Sequence, residues 1–203
     1  CDVARGVYTK MSETGEVLRA YRHSDDLRLS SNDSKGLKLE ESALHGRVRM
    51  AAFTACTRFL GCTFEYLGNI VLVRQTEKIA EMRDKFKGLH AKYNKNNRVR
   101  TCAVPISAIR LTEELHSDLD VLLDKSGIEE YQSLIGCISW IASSSRPDVK
   151  FGYFLLATRM VSPREWDMKL AVQVMDYLVG TIETPLVLGG SVVAPEVYAD
   201  ASF

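Results

Sequence analysis

At Thr76 the apolar pattern changes period, and this change constrains the fold more than any other feature of the chain. Before it, apolar residues alternate or cluster in short blocks, as in Val17-Leu18-Arg19-Ala20-Tyr21 and Ile70-Val71-Leu72-Val73. After it, Ile79, Met82, Phe86, Leu89 and Tyr93 recur at three- and four-residue steps. The first pattern suits strands and the second suits one face of a helix. The chain therefore reads as α+β, with hairpins first and helices after.

Two hairpins are predicted in the strand-forming part. Residues 7–31 form strands around a turn at Thr14-Gly15 and a second turn at Asp25-Asp26. Residues 59–75 form the other hairpin around Leu67-Gly68-Asn69, where glycine supplies the positive φ of a tight turn. Between them, residues 32–50 are polar, with room for one short helix. From Thr76, a plausible N-cap, one helix is expected through Tyr93. An exposed acidic connection (Glu113, Glu114, Asp118, Asp120, Asp124) leads to a helix marked by Tyr131, Leu134, Ile135, Ile138 and Ala142. That helix stops before Arg146-Pro147, because the residue ahead of proline disfavours the α region. Val149 to Met160 is apolar almost all round and is expected to be buried. Ser162-Pro163-Arg164-Glu165 reads as a capping box with Ser162 at N-cap, Pro163 at N1 and Glu165 at N3. Its helix runs to Gly180, and strands follow at 186–188 and 197–200 around Gly189-Gly190.

The chain has 203 residues with an ordinary globular balance, 46% hydrophobic and 26% charged. No apolar run approaches the ~20 residues that cross a bilayer, so no membrane partner is expected. The first residue is Cys1 and not Met, which suggests a piece excised from a longer polypeptide. The cysteines (Cys1, Cys56, Cys62, Cys102, Cys137) are scattered, with no C-x-x-C spacing, as expected for reduced thiols in an intracellular compartment. The net charge of zero conceals a split: residues 1–100 hold 19 Lys/Arg against 12 Asp/Glu, and residues 101–203 hold 7 against 14. The halves either neutralise one another or present one face to a polyanion. Lys78, Lys85 and Lys92 repeat along one edge of the expected helix, with Arg83 and Lys87 nearby. This edge is either a solvated face or a track for phosphates.

Asp25-Asp26 places adjacent carboxylates at a hairpin tip. Hard Mg²⁺ prefers carboxylate oxygen, and polymerases use such groups to clamp the attacking and leaving oxygens between two metals. A solvated turn is the plain alternative.

Several segments, in order, resemble the C-terminal half of a Ty1/copia-type retrotransposon reverse transcriptase. Tyr131-Gln132-Ser133-Leu134-Ile135-Gly136, then Trp140-Ile141-Ala142, then Ser145-Arg146-Pro147-Asp148-Val149 match that family's Y-x-x-L-[IV]-G and R-P-D-[IV] segments. Tyr177-Leu178-Val179-Gly180-Thr181 matches its YL-x-GT stretch, and Phe59-Leu60-Gly61 its F-L-G. His23-Ser24-Asp25-Asp26 falls at its Y-x-D-D turn, and Tyr198-Ala199-Asp200-Ala201-Ser202 is similar to the first strand of its fused RNase H.

The resemblance implies a partial polymerase palm with two hairpins over residues 1–75, a helical thumb over 76–185 and the start of an RNase H-like domain over 186–203. It implies that Asp25 and Asp26 are catalytic Mg²⁺ ligands of the polymerase site and Asp200 one of a hydrolytic site, both sites incomplete in this sequence. Phe59, Leu60 and Gly61 would open a primer grip. Lys78, Arg83, Lys85, Lys87 and Lys92 would lie along a thumb that holds template–primer duplex through backbone phosphates. The parent would be an RNA-directed DNA polymerase using deoxynucleoside triphosphates. Its partners would be RNA or DNA template–primer and other segments of the same polyprotein, in a cytoplasmic virus-like particle or the nucleus. This piece alone would be inactive. His23 stands where the family has Tyr or Phe, and Arg22 and Arg28 stand where it prefers apolar residues. The alternatives are a non-catalytic nucleic-acid-binding remnant and a generic helical interaction domain.

Overall fold

The architecture is mixed α+β, with strands at both ends of the helical region. The computed structural model describes residues 6–12, 15–24, 26–49, 54–93, 104–106 and 121–190. Among these are two small antiparallel sheets and six α-helices, in two compact units, Cys1–Leu60 and Gly61–Phe203.

The first unit is a three-stranded meander under one helix. Strands β1 (Val7–Met11), β2 (Val17–His23) and β3 (Asp26–Ser31) pair antiparallel, with registers such as Tyr8↔Ala20 and Ala20↔Leu29. The β2–β3 hairpin closes on the pair His23↔Asp26, and Ser24 in its turn takes φ of 51°. Helix α1 (Ser34–His45) follows directly. Its N-terminus is held by Asp33, whose carboxylate accepts from Lys35 N at 2.9 Å and Gly36 N at 2.7 Å. Leu37, Glu40 and Leu44 are its half-buried stripe, and Glu40 pairs with Lys10 of β1. Among the described residues of this unit none is fully buried, so its layers pack through half-exposed side chains. Strand β4 (Arg58–Phe59) lies at its end.

The second unit is a bundle with a small sheet at one end. Strands β5 (Cys62–Leu67) and β6 (Ile70–Arg74) form a hairpin around Gly68-Asn69, with Leu67 opposite Ile70 and Gly68 at φ of 61°. Strand β7 (Leu186–Gly189) adds to β6 antiparallel, in the register Val73↔Leu186 to Ile70↔Gly189. The predicted strand over 197–200, with Asp200, lies outside the described residues.

The helices are α2 (Thr76–Lys85), α3 (Lys87–Tyr93), α4 (Lys125–Ser144), α5 (Lys150–Ala157) and α6 (Glu165–Gly180), with a 3₁₀ turn at Pro147–Val149. The single helix expected over 76–93 is interrupted at Phe86 (φ −106°, ψ 20°). Hydrogen bonds from Phe86 N to Met82 O and from His90 N to Phe86 O persist on either side, so the interruption is a kink. Gly88, just beyond it, weakens helix propensity there. Thr76 is not the N-cap; Gln75 is, and its side chain makes no capping bond because it turns inward instead.

The start of α6 also differs from expectation. The helix begins at Glu165, with Arg164 at N-cap and Asp167 at N3, so the cap stands two residues later than the Ser-Pro-Arg-Glu box implies. Arg164 N donates to Asp167 Oδ2 at 2.8 Å. Residues ahead of it are drawn into extended pairing instead: Leu123 N donates to Pro163 O and Glu165 N to Val121 O. The stretch from Glu113 to Asp120 lies outside the described residues, but Asp124 caps α4 through Gly127 N at 2.8 Å.

Burial is likewise redistributed. Helix α6 is the centre of the bundle, with ten buried residues including Trp166, Ala171, Val174 and Leu178. It packs against α2, α3, α4 and α5. Of the apolar segment Val149 to Met160, predicted to be buried, only Val149, Gly152 and Leu156 are buried, while Phe151 is 69% and Phe154 57% exposed on α5. At eight residues it offers one packing stripe, so its remaining aromatic surface stays in solvent. The core is completed by Ile79, Met82, Phe86 and Leu89 from α2–α3, and Tyr131, Leu134, Ile135, Ile138 and Ile141 from α4.

Candidate nucleic-acid interface

A groove of about 500 Å³ runs between α2 and α4. Its floor is Met82 and Ile141, both buried in the core. Lys78, Glu81 and Lys85 line it from α2, and Gly136, Cys137 and Trp140 from α4. A Cβ added to Gly136 would meet nothing within 4 Å. A glycine in a helix interior costs roughly 0.5–1 kcal/mol relative to alanine. No neighbour in the fold requires a glycine here. One turn along, Trp140 keeps 47% of its surface exposed at the rim.

The lysine edge divides at the kink. Lys78 pairs with Glu81 at 2.7 Å, and Lys85 donates to Ser133 Oγ at 2.7 Å with its ammonium 5.0 Å from the Phe86 ring centroid. Lys92 turns elsewhere: it pairs with Glu165 at 3.1 Å, and Tyr93 also donates to Glu165. Tyr93 and Glu165 hold Lys92 above the usual ammonium range, and burial together with the bond to Glu165 raises the Tyr93 phenol. Exposed pairs of this kind are worth at most about 1 kcal/mol, so Lys78 and Lys85 can exchange them for a phosphate. Arg83 pairs with neighbouring Asp84, and Lys87 is exposed on α3.

Gly61 lies against the same region. It takes φ of 74°, and a Cβ on it would sit 3.2 Å from Cε of Lys78, so the glycine lets the lysine stem lie across the chain. Leu60 has φ of 50°, and Phe59 is half-buried in β4.

The two most specific sequence segments meet around one guanidinium. Arg146 is 2% exposed. Its Nε donates to Asp148 Oδ1 at 3.0 Å and its Nη2 to Asp148 Oδ2 at 2.7 Å, a bidentate fork. The same side chain donates to Thr181 O at 2.9 Å and Thr181 Oγ1 at 2.7 Å. Thr181 is the C-cap of α6, so a cation meets the negative end of that helix. Tyr177 donates to Asp148 Oδ2 at 2.8 Å, and its ring lies 5.4 Å from the guanidinium. Burial pushes the Asp148 carboxyl up, but hydrogen bonds from Arg146 and Tyr177 outweigh it and leave Asp148 below the usual range. Burial and the bond to Asp148 both raise Tyr177. The Arg-Pro-Asp segment is thus a structural hub.

Asp26 is exposed at the first position of β3, opposite His23. Asp25 and Asp200 lie outside the described residues. Among the described residues there is no group of three His, Cys, Asp or Glu that could hold a metal ion. Arg22 is exposed and Arg28 half-buried beside Tyr21, its strand partner. Arg22 therefore avoids the cost of a charge buried without a partner. No described helix is long and apolar enough to cross a membrane.

The sequence pattern points to Lys78 and Lys85 but not to Gly136 and Trp140 as groove residues. The signal for them is a glycine inside an otherwise strong helical pattern, one turn before a tryptophan. No protein-family model, no curated protein and no solved structure matches the chain.

Proposed function

We propose that the chain is the late-palm and thumb part of a Ty1/copia-type retroelement reverse transcriptase, and that its helical unit holds template–primer duplex in the α2–α4 groove. The observation that carries this reading is the groove itself: Lys78 and Lys85 flanking Glu81 on one wall, a bare backbone at Gly136, and Trp140 at the rim. Lysines neutralise phosphates without reading sequence. A helix stripped of a side chain at Gly136 lets a sugar–phosphate backbone approach closely, and the Trp140 ring offers an apolar surface to sugar or base.

In the parent polypeptide the reaction would be nucleotidyl transfer to a primer 3′-hydroxyl; Asp25 and Asp26 would help hold Mg²⁺, which would supply charge stabilisation and activation of the nucleophile. This chain's own contribution is positioning: the helical unit holds the duplex and the β5–β6 hairpin lies beside it.

The test is binding of this chain to an RNA–DNA hybrid and to a single strand of the same sequence, by fluorescence anisotropy at low salt. Tighter binding to the hybrid supports the reading, and no binding to either refutes it. Primer extension by the parent separates a working polymerase from a non-catalytic binder: Asp25→Asn should abolish extension and leave hybrid binding intact.

A further inference from the structure

We infer that the Arg146 hub is a positioning device that fixes the β5–β6–β7 sheet to the helical bundle. The link runs through adjacent residues. Ser145 Oγ donates to Gln75 Oε1 at 2.8 Å, and both side chains are buried. Gln75 is the single residue between the end of β6 and the start of α2, where the chain changes direction. A hold on Gln75 is therefore a hold on the base of the hairpin.

A second link closes the ring from the other side. Arg146 grips the carbonyl and hydroxyl of Thr181, and Arg74, at the end of β6, donates from Nε to Glu183 O at 3.3 Å. Thr184 N donates to Thr181 O, so residues 181–184 form a turn held by arginines from both sides. Strand β7 leaves from this turn to pair with β6. The third strand is thus referred to the Arg146 guanidinium through Thr181, and the hairpin base to the neighbouring Ser145 hydroxyl through Gln75. The polar links through Ser145, Arg146, Arg74 and Thr181 set where the sheet stands relative to α4 and α6.

Arg146 and Ser145 are positioning residues in this account, and the device does not depend on the nucleic-acid reading. The test is amide hydrogen exchange on the whole chain without nucleic acid, comparing wild type with Ser145→Ala, Arg146→Lys and Tyr177→Phe. Ser145→Ala removes the bond to Gln75. Arg146→Lys keeps the charge but cannot reproduce the fork and the two bonds to Thr181 together. Both should speed exchange in 62–74 and 186–189 by roughly tenfold, as expected for loss of a buried hydrogen bond. Amides of 131–141, inside α4, should exchange as in wild type. Sheet exchange unchanged in both variants overturns the inference, and so does acceleration spread equally over sheet and α4. If Arg146→Lys does not fold, Ser145→Ala decides alone, with Tyr177→Phe as the control that leaves Gln75 and Thr181 bonded.

Discussion

The Tyr177 hydroxyl donates to Asp148 Oδ2 at 2.8 Å, joining the last turn of α6 to the Arg-Pro-Asp turn that follows α4. Tyr177 supports a carboxylate already committed to Arg146, so the aromatic ring, the acid and the guanidinium act as one cluster.

Removing the guanidinium should be costly. Arg146→Ala leaves Asp148 with Tyr177 alone and the Thr181 carbonyl with Thr184 N alone. Asp148 is 38% exposed, so the cost should fall below the roughly 3–5 kcal/mol of a fully buried pair but exceed that of losing one hydrogen bond. Tyr177→Phe removes one hydrogen bond and should cost about 1 kcal/mol. Urea denaturation of the two variants checks both the magnitudes and their order.

Asp148 should give the fold an acid-sensitive component. Its folded-state pKa lies below the unfolded value, because the hydrogen bonds from Arg146 and Tyr177 outweigh burial. The stabilisation is therefore present above the unfolded carboxylate pKa of about 4 and is lost as pH falls through the folded value. Tyr177 has the opposite sign: its raised pKa contributes stability that is full below about pH 10 and lost as pH rises through the folded value. Asp148→Asn should lower stability at neutral pH and flatten its decline on the acid side, as read from melting temperature against pH.

Gly136 separates stability from function. Gly136→Ala places a methyl in open space and removes a helix penalty, so the variant should be more stable by roughly 0.5–1 kcal/mol. The same methyl narrows the groove, so hybrid affinity should fall. A variant more stable and equally tight in binding would detach the groove from nucleic acid.

The exposed aromatics of α5 should contribute little to folding. Phe151→Ser and Phe154→Ser change side chains that are 69% and 57% exposed, and stability should stay within about 0.5 kcal/mol of wild type. Calorimetry on the two variants checks this.

Local pattern makes much of the fold legible. The Gly68-Asn69 hairpin and the apolar stripe Ile79, Met82, Phe86, Leu89 stand where periodicity puts them, since each depends on neighbours a few residues away. What is not legible depends on distant partners. Hydrophobicity alone ranks the segment from Val149 to Met160 as buried, but α6, with two buried acids inside it, occupies the centre. Asp167 is used as a cap and Asp176 lies 3.0 Å from His90, so both carboxylates have partners that the pattern does not announce. Likewise Lys85 and Lys92 share a sequence edge yet reach Ser133 and Glu165 on different helices, because a kink at Phe86 intervenes.

The most direct test of the groove is the salt dependence of hybrid binding by wild type and by a Lys78→Gln, Lys85→Gln double variant. Each phosphate left without its lysine should reduce the slope of log affinity against log salt by roughly 0.7–0.9. The account predicts a slope shallower by roughly 1.4–1.8 in the double variant, with weaker binding at low salt. An unchanged slope and affinity would contradict it.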